Sequence, residues 1–504
     1  MKKLILLVLL ISISCKKEKS KNTYSYDNPK TVTLTGKISN FDPADPNITF
    51  AVNRVGVKRI ALDSKIDSTG HFSTSFKSYT PTDVWVNPGM NFLVLTHPGD
   101  SIHMSFDAKT PERVPILKSI QFSGDAVATN QDAAHFQEMY FSNEIYTDWD
   151  AKKNSKKEYG VDDYQKYLDT LQQKSTDLLR RFAEKYSPNE ETLLWAKTYI
   201  EQDYYNALYF YPQAHRVSNN LPITWDVPET YYDSLKKRLP ITKPMLLSGY
   251  ALMNFVNRYH YGYASTKTWN EKSNEKYRTK FGMAGGAKEL DSVKIYGIIK
   301  HTQDSLLRQL VLAEVFRQEF EEAEIGLYER YRDLVDVHIT EAFIAEPLEE
   351  HYKETKQRIA SPKLATEALL KETAGTSVDK LIEDLLATHK GKVIYADTWA
   401  PWCAPCLGEF PNSKKLMEEM EGQDVVFIYF CVQSNKKAYK ATLDKYQLAG
   451  EHYFLDQNQS RDFMAAFGIS GIPYYLLIDK EGTIVEQGSH LRPYVAKAKI
   501  EKLL

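Results

Sequence analysis

The sequence predicts a multidomain protein with an N-terminal antiparallel β-sandwich, an α-helical middle region and a C-terminal α/β domain. Three observations lead to this fold class. Residues 31–123 carry short segments in which apolar and polar side chains alternate with period two. Residues 124–375 carry apolar side chains three and four positions apart, and residues 376–504 alternate strand-like with helix-like segments. We take these three ranges as the predicted domains.

Short strands separated by turns define the N-terminal domain. The segment from Thr31 to Ile38 alternates as a half-buried strand does. A turn is predicted at residues 67–70, and Pro88-Gly89 and Pro98-Gly99 separate further strand-like runs. This regular spacing of short strands and turns predicts a small antiparallel sandwich.

The middle region is predicted to be helical because its apolar side chains fall on single helix faces. One such stripe runs from Leu193 to Tyr211, and another runs from Leu306 to Phe320. Aromatic residues make up 12% of the sequence, with 33 tyrosines, which indicates large packed faces or broad contact surfaces.

The first fifteen residues predict an export signal. Two lysines precede an apolar run from Leu4 to Ile11, which is too short to span a bilayer. Ser12-Ile-Ser-Cys15 resembles a bacterial lipobox, which implies a signal peptide over residues 1–15 and lipidation of Cys15. Residues 16–30 are then a charged tether, and the protein is expected in the cell envelope, anchored to a membrane by lipid. The alternative is an ordinary cleaved signal in which Cys15 is incidental.

Charge and cysteine content narrow the possible functions. Because 64 Lys and Arg balance 66 Asp and Glu, no basic field attracts nucleic acid, and no such partner is expected. Without Cys15, three of the four cysteines remain, which is too few for a framework of structural disulfides. His452 and His490 lack the paired spacing of zinc ligands, so neither a metal nor a cofactor is expected.

The segment Tyr395-Ala-Asp-Thr-Trp-Ala-Pro-Trp-Cys-Ala-Pro-Cys406 carries the chemistry predicted for this chain. A C-x-x-C between a strand and the start of a helix is typical of a redox dithiol. Free N–H groups and the helix dipole stabilise a thiolate at a helix N-terminus. We therefore expect Cys403 to be exposed at the helix start and Cys406 to lie one turn further in.

Several separate positions in this part of the chain resemble one family. Trp402-Cys-Ala-Pro-Cys406 resembles the W-C-x-P-C active site of thioredoxins, and Asp397 matches their buried aspartate. Pro411 matches the proline of the active-site helix, and Gly471-Ile-Pro473 resembles the loop that carries a cis-proline. Glu409 resembles the P-C-x-x-E-x-P ending of the TlpA/ResA-like branch. The resemblance implies a thioredoxin fold for residues 376–504. The β domain resembles one that precedes the thioredoxin domain in many Bacteroidota lipoproteins.

The resemblance, together with the chemistry of disulfide exchange, implies roles for three residues. Cys403 is the expected nucleophile, and Cys406 is the thiol that resolves the mixed disulfide. Burial beneath the pair is expected to raise the pKa of Asp397, which suits this carboxylate to accept the proton of Cys406. The alternative for Asp397 is a buried acid whose hydrogen bonds are satisfied and whose role is structural.

Four further residues are expected around the dithiol. Pro473, if cis, leaves the backbone of Ile472 free to pair with an extended substrate. Trp402 is expected to shield one side of the nucleophile. Glu409 either tunes the dithiol or caps and orients the helix, and the sequence leaves both readings open.

The resemblance implies an enzyme, namely a lipid-anchored thiol-disulfide oxidoreductase that reduces disulfides of exported proteins. Its partners are then those proteins and an unidentified redox donor or acceptor. One alternative is an oxidase or isomerase of exported proteins. The other is a partner-binding lipoprotein with a non-catalytic thioredoxin scaffold. For the C-terminal domain we expect a leading helix and then the order β-α-β-α-β-β-α.

Overall fold

The computed structural model describes residues 25–110, 112–222, 225–228, 230–232, 240–264 and 287–504. The predicted signal peptide, Cys15 and the first part of the predicted tether lie outside these residues. Within the described ranges, none of the helices combines the length and the hydropathy that a transmembrane span needs.

The N-terminal region forms two four-stranded sheets, with strand orders β4-β1-β7-β8 and β3-β2-β5-β6. The prediction of an antiparallel sandwich is wrong in one pair, because β1 runs parallel to β7, with Thr33 opposite Ser101. A parallel pair needs a long crossover, and β2 to β6 supply it. Apolar alternation reports burial and does not encode strand direction. The elements are β1 (Lys30–Ser39), β2 (Asn47–Val52), β3 (Ile60–Lys65), β4 (His71–Ser78), β5 (Thr82–Asn87), β6 (Phe92–Thr96), β7 (Ser101–Asp107), α1 (Arg113–Ser119) and β8 (Gln121–Gly124).

The middle region is helical, as predicted. Its helices are α2 (Val127–Phe141), α3 (Glu144–Thr147), α4 (Trp149–Glu158), α5 (Val161–Tyr186), α6 (Glu190–Ser218), α7 (Gly249–Tyr259), α8 (Ala287–His301), α9 (Ser305–Glu321), α10 (Gly326–Arg330), α11 (Arg332–His338) and α12 (Ala342–Ala360). A 3-10 helix (Lys243–Leu247) precedes α7, and a π turn (His260–Ala264) follows it. Helices α10 and α11 are only one to two turns long.

Two carboxamides on α2 cover the outer edge of β6. Asn130 accepts a hydrogen bond from the backbone N–H of Leu95 at 2.8 Å and donates one to its carbonyl at 2.9 Å. Gln137 makes the same pair of bonds with Leu93, at 2.7 and 2.8 Å. The two amides are seven residues apart on α2, so they lie on the same face of the helix. The outward backbone groups of β6 at both residues are thereby satisfied.

One hydrophobic core continues from the sheets into the helices. Sheet residues such as Val32 and Leu95 belong to the same buried cluster as Phe136, Phe182 and Trp195 of the helices. The core is therefore continuous across residue 124, where the sequence predicts a domain boundary.

The buried carboxylate of Asp83 on β5 joins the sheet to two helices. It accepts hydrogen bonds from the Trp195 indole at 3.3 Å and from the Tyr250 backbone N–H at 2.8 Å. Trp195 lies on α6 and Tyr250 on α7, so one side chain ties the sandwich to both helices.

The C-terminal region forms a six-stranded sheet with the order β14-β13-β10-β11-β12-β9. The predicted order lacks β9 and β12. Both strands are short, since β9 has four residues and β12 has five, and β12 also contains polar residues, as it reads Gly-Glu-His-Tyr-Phe. The elements are β9 (Ala368–Lys371), α13 (Val378–Thr388), β10 (Val393–Trp399), α14 (Ala404–Glu419), β11 (Val425–Cys431), α15 (Lys436–Tyr446), β12 (Gly450–Phe454), α16 (Gln457–Ala466), β13 (Tyr474–Ile478), β14 (Ile484–Gly488) and α17 (Pro493–Ile500).

The helical region contacts the C-terminal domain at helix α15. Helix α12 packs against α15, and Ala323 shares a small apolar cluster with Ala438 and Ala441. Lys445 pairs with Glu321, and the Asn435 amide donates a hydrogen bond to Glu324 at 2.5 Å. Since Asn435 caps the start of α15 and Lys445 lies near its end, the helical region contacts this helix along most of its length.

Candidate active site

A disulfide joins Cys403 and Cys406 where β10 passes into α14, with a Cα–Cα distance of 5.3 Å. Cys403 caps the helix, and its Sγ accepts the backbone N–H of Cys406 at 3.3 Å. The prediction that Cys403 is exposed is wrong for this oxidised form, in which the residue is only 3% exposed. The reason is that its sulfur turns inward to bond with the fully buried Cys406.

Strand β10 and helix α14 fix the position of the dithiol, because the two cysteines lie where the strand passes into the helix. Every residue of β10 is buried, and the strand lies between β11 and β13 in the middle of the sheet. Pro405 stands in the first turn of α14, where its missing N–H costs nothing. The helix therefore starts at the carboxyl end of a central strand, and its free N–H groups point at the sulfur of Cys403.

Asp397 is fully buried on β10, two residues before the strand ends. Neither carboxylate oxygen has a hydrogen-bond partner among the described residues. Burial raises the pKa of Asp397 well above its usual value, and the charge of Glu409 raises it further. Strand pairing sets Tyr429 on one side of Asp397 and Tyr475 on the other. The carboxyl group thus sits in an apolar site without a hydrogen-bond partner in the described part of the chain, and these surroundings raise its affinity for a proton.

Glu409 lies nearly buried on α14, three residues after Cys406, and is held at both oxygens. One accepts a hydrogen bond from the Arg492 guanidinium at 2.5 Å, and the other accepts one from the Asn412 amide at 2.8 Å. The bond to Glu409 raises the pKa of Arg492. Arg492 is not recognisable from the sequence, because its partner lies 83 residues away in the chain and no local motif marks it.

The proline loop lies at the same end of the sheet as the dithiol. The Ile472–Pro473 peptide bond is cis. Tyr474 pairs with Thr398 of β10, which sets Pro473 beside the end of β10, where the C-x-x-C segment begins. Ile472 is half-buried and packs against the hydrophobic cluster that contains both cysteines.

The two tryptophans of the motif have different surroundings. Trp399 is fully buried and stands edge-on to Phe410, with ring centroids 5.2 Å apart. Trp402 is 44% exposed, and its indole N–H donates a hydrogen bond to the carbonyl of Gln433 at 2.9 Å. The Trp402 ring therefore reaches from the dithiol segment to the loop between β11 and α15.

A cavity of about 680 Å³ opens beside Trp402. Pro401, Trp402 and Gln433 form one side, and Glu322 and Glu324 of the helical region form another. The segment next to Cys403 thus faces a groove with walls from two parts of the chain. Local sequence does not reveal this groove, because Glu322 and Glu324 belong to a charged run, Glu319 to Glu324, of the kind typical of a solvated helix face.

The remaining cysteine and the two histidines considered as ligands lie apart from this chemistry. Cys431 is a buried free thiol at the end of β11, and burial raises its pKa. His452 is buried with Nε2 3.1 Å from the Leu448 carbonyl, and His490 pairs with Glu486 at 2.8 Å. In the described part of the chain, no three metal-ligating side chains gather into a group that could hold an ion.

A family model described as Redoxin matches residues 374–504. The thiol-disulfide oxidoreductase ResA of Bacillus subtilis is 27% identical over 131 residues, which are 26% of this chain and 68% of ResA. ResA of Bacillus anthracis is 25% identical over 132 residues, 26% of this chain and 71% of that protein. Among solved structures, a candidate thiol-disulfide oxidoreductase from Bacteroides vulgatus is 41% identical, covering 23% of this chain and 75% of that one, with a TM-score of 0.21.

These matches cover the segment that carries the dithiol, Asp397, Glu409 and the cis-proline loop. They confirm the predicted resemblance to the TlpA/ResA-like branch. Residues 374–504 are therefore a Redoxin domain with the thioredoxin fold, and their relatives are thiol-disulfide oxidoreductases of the ResA type.

Proposed function

We propose that this chain is a thiol-disulfide oxidoreductase that reduces disulfides of exported proteins. The observation that carries the proposal is the Cys403–Cys406 disulfide at the N-terminus of α14, together with the buried and unpartnered carboxyl group of Asp397 on the strand that leads into it. A structural disulfide has no need of a nearby carboxyl group with a raised affinity for a proton. A redox pair does need one, because thiolates must form and be protonated in each cycle.

In the proposed reaction the reduced protein supplies two electrons. The Cys403 thiolate attacks one sulfur of the substrate disulfide, that disulfide breaks, and the first substrate thiolate leaves and takes up a proton. Cys406 then gives its proton to ionised Asp397 and attacks the Cys403 sulfur. The mixed disulfide breaks, the second substrate thiolate leaves and takes up the proton held by Asp397, and the Cys403–Cys406 disulfide forms. An external dithiol donor must reduce that disulfide before the next cycle.

The groove beside Trp402 supports an extended polypeptide as substrate. Its walls come from the Redoxin domain and from Glu322 and Glu324 of the helical region. On the other side of the dithiol, the backbone of Ile472 pairs with the substrate as an added strand does. The helical region then acts in selecting substrates, because it borders the groove next to the nucleophile.

Glu409 has a tuning role in this proposal. Its carboxylate, held by Arg492 and Asn412, sits on the helix that starts at Cys403. The negative charge discourages ionisation of Asp397. Asp397 thereby stays a strong proton acceptor, ready when Cys406 must lose its proton.

Replacing Cys406 with serine should trap substrates on Cys403. Without the resolving thiol, the mixed disulfide has no internal route to release. The variant is expressed with its signal, and covalent adducts are sought on non-reducing gels and identified by mass spectrometry. We expect adducts that disappear with dithiothreitol and that are lost in the Cys403→Ser, Cys406→Ser double variant.

The matched control is Cys431→Ser, which removes a buried thiol and should form no adducts. Adducts that persist without Cys403 would reverse the assignment of the nucleophile.

The direction of electron transfer, reduction or oxidation of the substrate, is tested by measuring the reduction potential of the wild-type dithiol. A reduction potential near the value of thioredoxin, about −270 mV, fits a reductase, and one near that of DsbA, about −120 mV, would refute it in favour of an oxidase.

Export and lipidation at Cys15 belong to the same proposal. The charged start, the apolar run and the small residues before Cys15 support it. We expect the mature protein to begin at a diacylated Cys15 and to sediment with membranes, and Cys15→Ser to release it from them. Mass spectrometry of the N-terminal peptide shows whether Cys15 is lipidated, and an unmodified Cys15 in a soluble mature protein would contradict the proposed lipid anchor.

A further inference from the structure

A second large cavity lies far from the dithiol segment in sequence, between the β-sandwich and helices α1 to α7. Its volume is about 700 Å³, within the range of small-molecule binding sites. Aromatic rings form much of its wall, among them Trp85, Tyr146, Tyr164, Phe210 and Tyr250. Nothing in the proposed disulfide chemistry uses this cleft.

Five cationic side chains line the cleft: Arg59, Arg113, Lys152, Lys156 and Arg258. Among the described lining residues, Asp203 provides the one carboxylate, and it accepts a hydrogen bond from the Tyr140 hydroxyl at 3.3 Å. Across the described ranges, no salt bridge joins any of the five cations to an acid. The cleft therefore holds a large excess of positive charge, although the whole chain is close to neutral.

Four of these cations lie against aromatic rings. The Arg113 guanidinium lies 4.1 Å from the centre of the Phe141 ring and donates a hydrogen bond to the Tyr146 hydroxyl at 2.9 Å. Arg258 and Lys156 both lie over the ring of Phe210, at 4.3 and 5.2 Å, and Lys152 lies 5.7 Å from the centre of the Trp149 ring. The rings orient the cations and attract them by cation–π interaction, but they do not neutralise the positive charge.

The like charges of this cleft repel one another. Burial lowers the pKa of Lys156, and the neighbouring charges of Lys152 and Arg258 lower it further, whereas the charge of Asp203 offsets part of the effect. Burial also lowers the pKa of Arg258. Partly desolvated like charges that outnumber their counterions destabilise a fold. An anion in the cleft would relieve this repulsion and gain hydrogen bonds from charged donors.

We propose that this cleft binds a small polyanion built on a ring framework, with its anionic groups on the five cations and its rings against the tyrosines and tryptophans. Tyrosine suits such a ligand because it offers a flat apolar face and a hydroxyl. Two sources share this chemistry: a uronate oligosaccharide, with carboxylates on sugar rings, and a nucleotide, with phosphates on a base and ribose. The proposal is independent of the redox function.

Isothermal titration of the full-length protein with tetragalacturonate and with ATP tests the proposal, and neutral maltotetraose is the uncharged comparison. We expect one of the two anions to bind and maltotetraose not to bind. Replacing Lys152 and Lys156 together with alanine should weaken that binding by about tenfold or more, since hydrogen bonds to charged groups are lost.

Helix α4 supplies the matched control. Lys153 and Lys157 each follow one of the cleft lysines in sequence, but they are exposed and do not line the cleft. Their double replacement by alanine should change the affinity less than about twofold, because exposed charges contribute little. Insulin reduction should be the same in both double variants.

Hydrogen exchange of the wild-type protein provides a readout that needs no variant. The bound anion should protect backbone amides of α4 and of the middle of α6. The anion that binds identifies the source, carboxylate or phosphate. The proposal is overturned if neither anion binds, if maltotetraose binds as tightly, if the control variant weakens binding equally, or if protection appears only outside the cleft.

Discussion

Replacing Asp397 with asparagine should make the protein more stable at neutral pH and at the same time a much slower reductase. Burial, assisted by the charge of Glu409, raises the pKa of the folded state, whereas the unfolded chain ionises at about 3.9. Stability is therefore lost as pH rises from the unfolded value through the folded pKa. Asparagine removes that loss, which is about 1.4 kcal/mol for each pH unit between the two pKa values.

Turnover should fall because Cys406 loses its proton acceptor. Removing a general base typically slows a reaction by about 10²- to 10⁴-fold. Urea unfolding at pH 7, with hydrogen exchange followed at β10, measures the stability of the Redoxin domain, and insulin reduction measures turnover. Asp424→Asn, at an exposed site of the same domain, should change stability by less than about 0.5 kcal/mol. Reduced stability with intact turnover would show that Asp397 has a structural role instead.

Replacing Phe410 with alanine should destabilise the Redoxin domain by about 3–5 kcal/mol, the range found when a buried phenylalanine is truncated. The ring is fully buried and packs edge-on against Trp399 and Tyr446, each with centroids 5.2 Å away. It lies one turn after Cys406 on α14 and belongs to the same hydrophobic cluster. The cavity left behind would remove support from both the end of β10 and the start of α14.

The same measurement, urea unfolding followed at β10, checks this prediction. Lys415→Ala, at an exposed position on the same helix, is the matched control and should cost less than about 0.5 kcal/mol. A loss below about 1 kcal/mol for Phe410→Ala would mean that the neighbouring rings close the cavity, and that Phe410 is not what fixes Trp399.

The sequence was sufficient for the parts of the site that are local in the chain. Cys403, Cys406 and the strand leading to them lie within one short segment, and the first residues of β10, Val393 to Ala396, form an apolar run. The cis-proline loop could be placed by its resemblance to a known motif, although it lies far along the chain. Strands β9 and β12 were missed because they have only four and five residues, and because β12 carries polar residues although it lies inside the sheet.

What the sequence could not supply was contact between distant segments. Arg492 reaches Glu409 only because α17 packs near α14. Glu322 and Glu324 border the groove because their own segment contacts α15, where Lys445 pairs with Glu321 and Asn435 bonds to Glu324. The five cations of the second cleft come from several separate elements, so a chain with nearly balanced charge conceals a strongly basic cavity. The parallel pairing of β1 with β7 also could not be predicted, since the local alternation of apolar and polar residues does not indicate in which direction two paired strands run.

The hydrogen bonds of Asn130 and Gln137 to β6 should reduce aggregation of the protein in concentrated solution. An uncovered sheet edge is a template on which a second molecule can add its own strand, and repeated addition leads to aggregates. A carboxamide has two N–H donors and one carbonyl oxygen. In both side chains the second N–H donates to a carbonyl of α2 itself, that of Ala126 or Ala133, so each amide completes the strand but does not pass the pattern on to a further neighbour. Helix α2 therefore ends the sheet at β6, and self-assembly through this edge is blocked by two side chains.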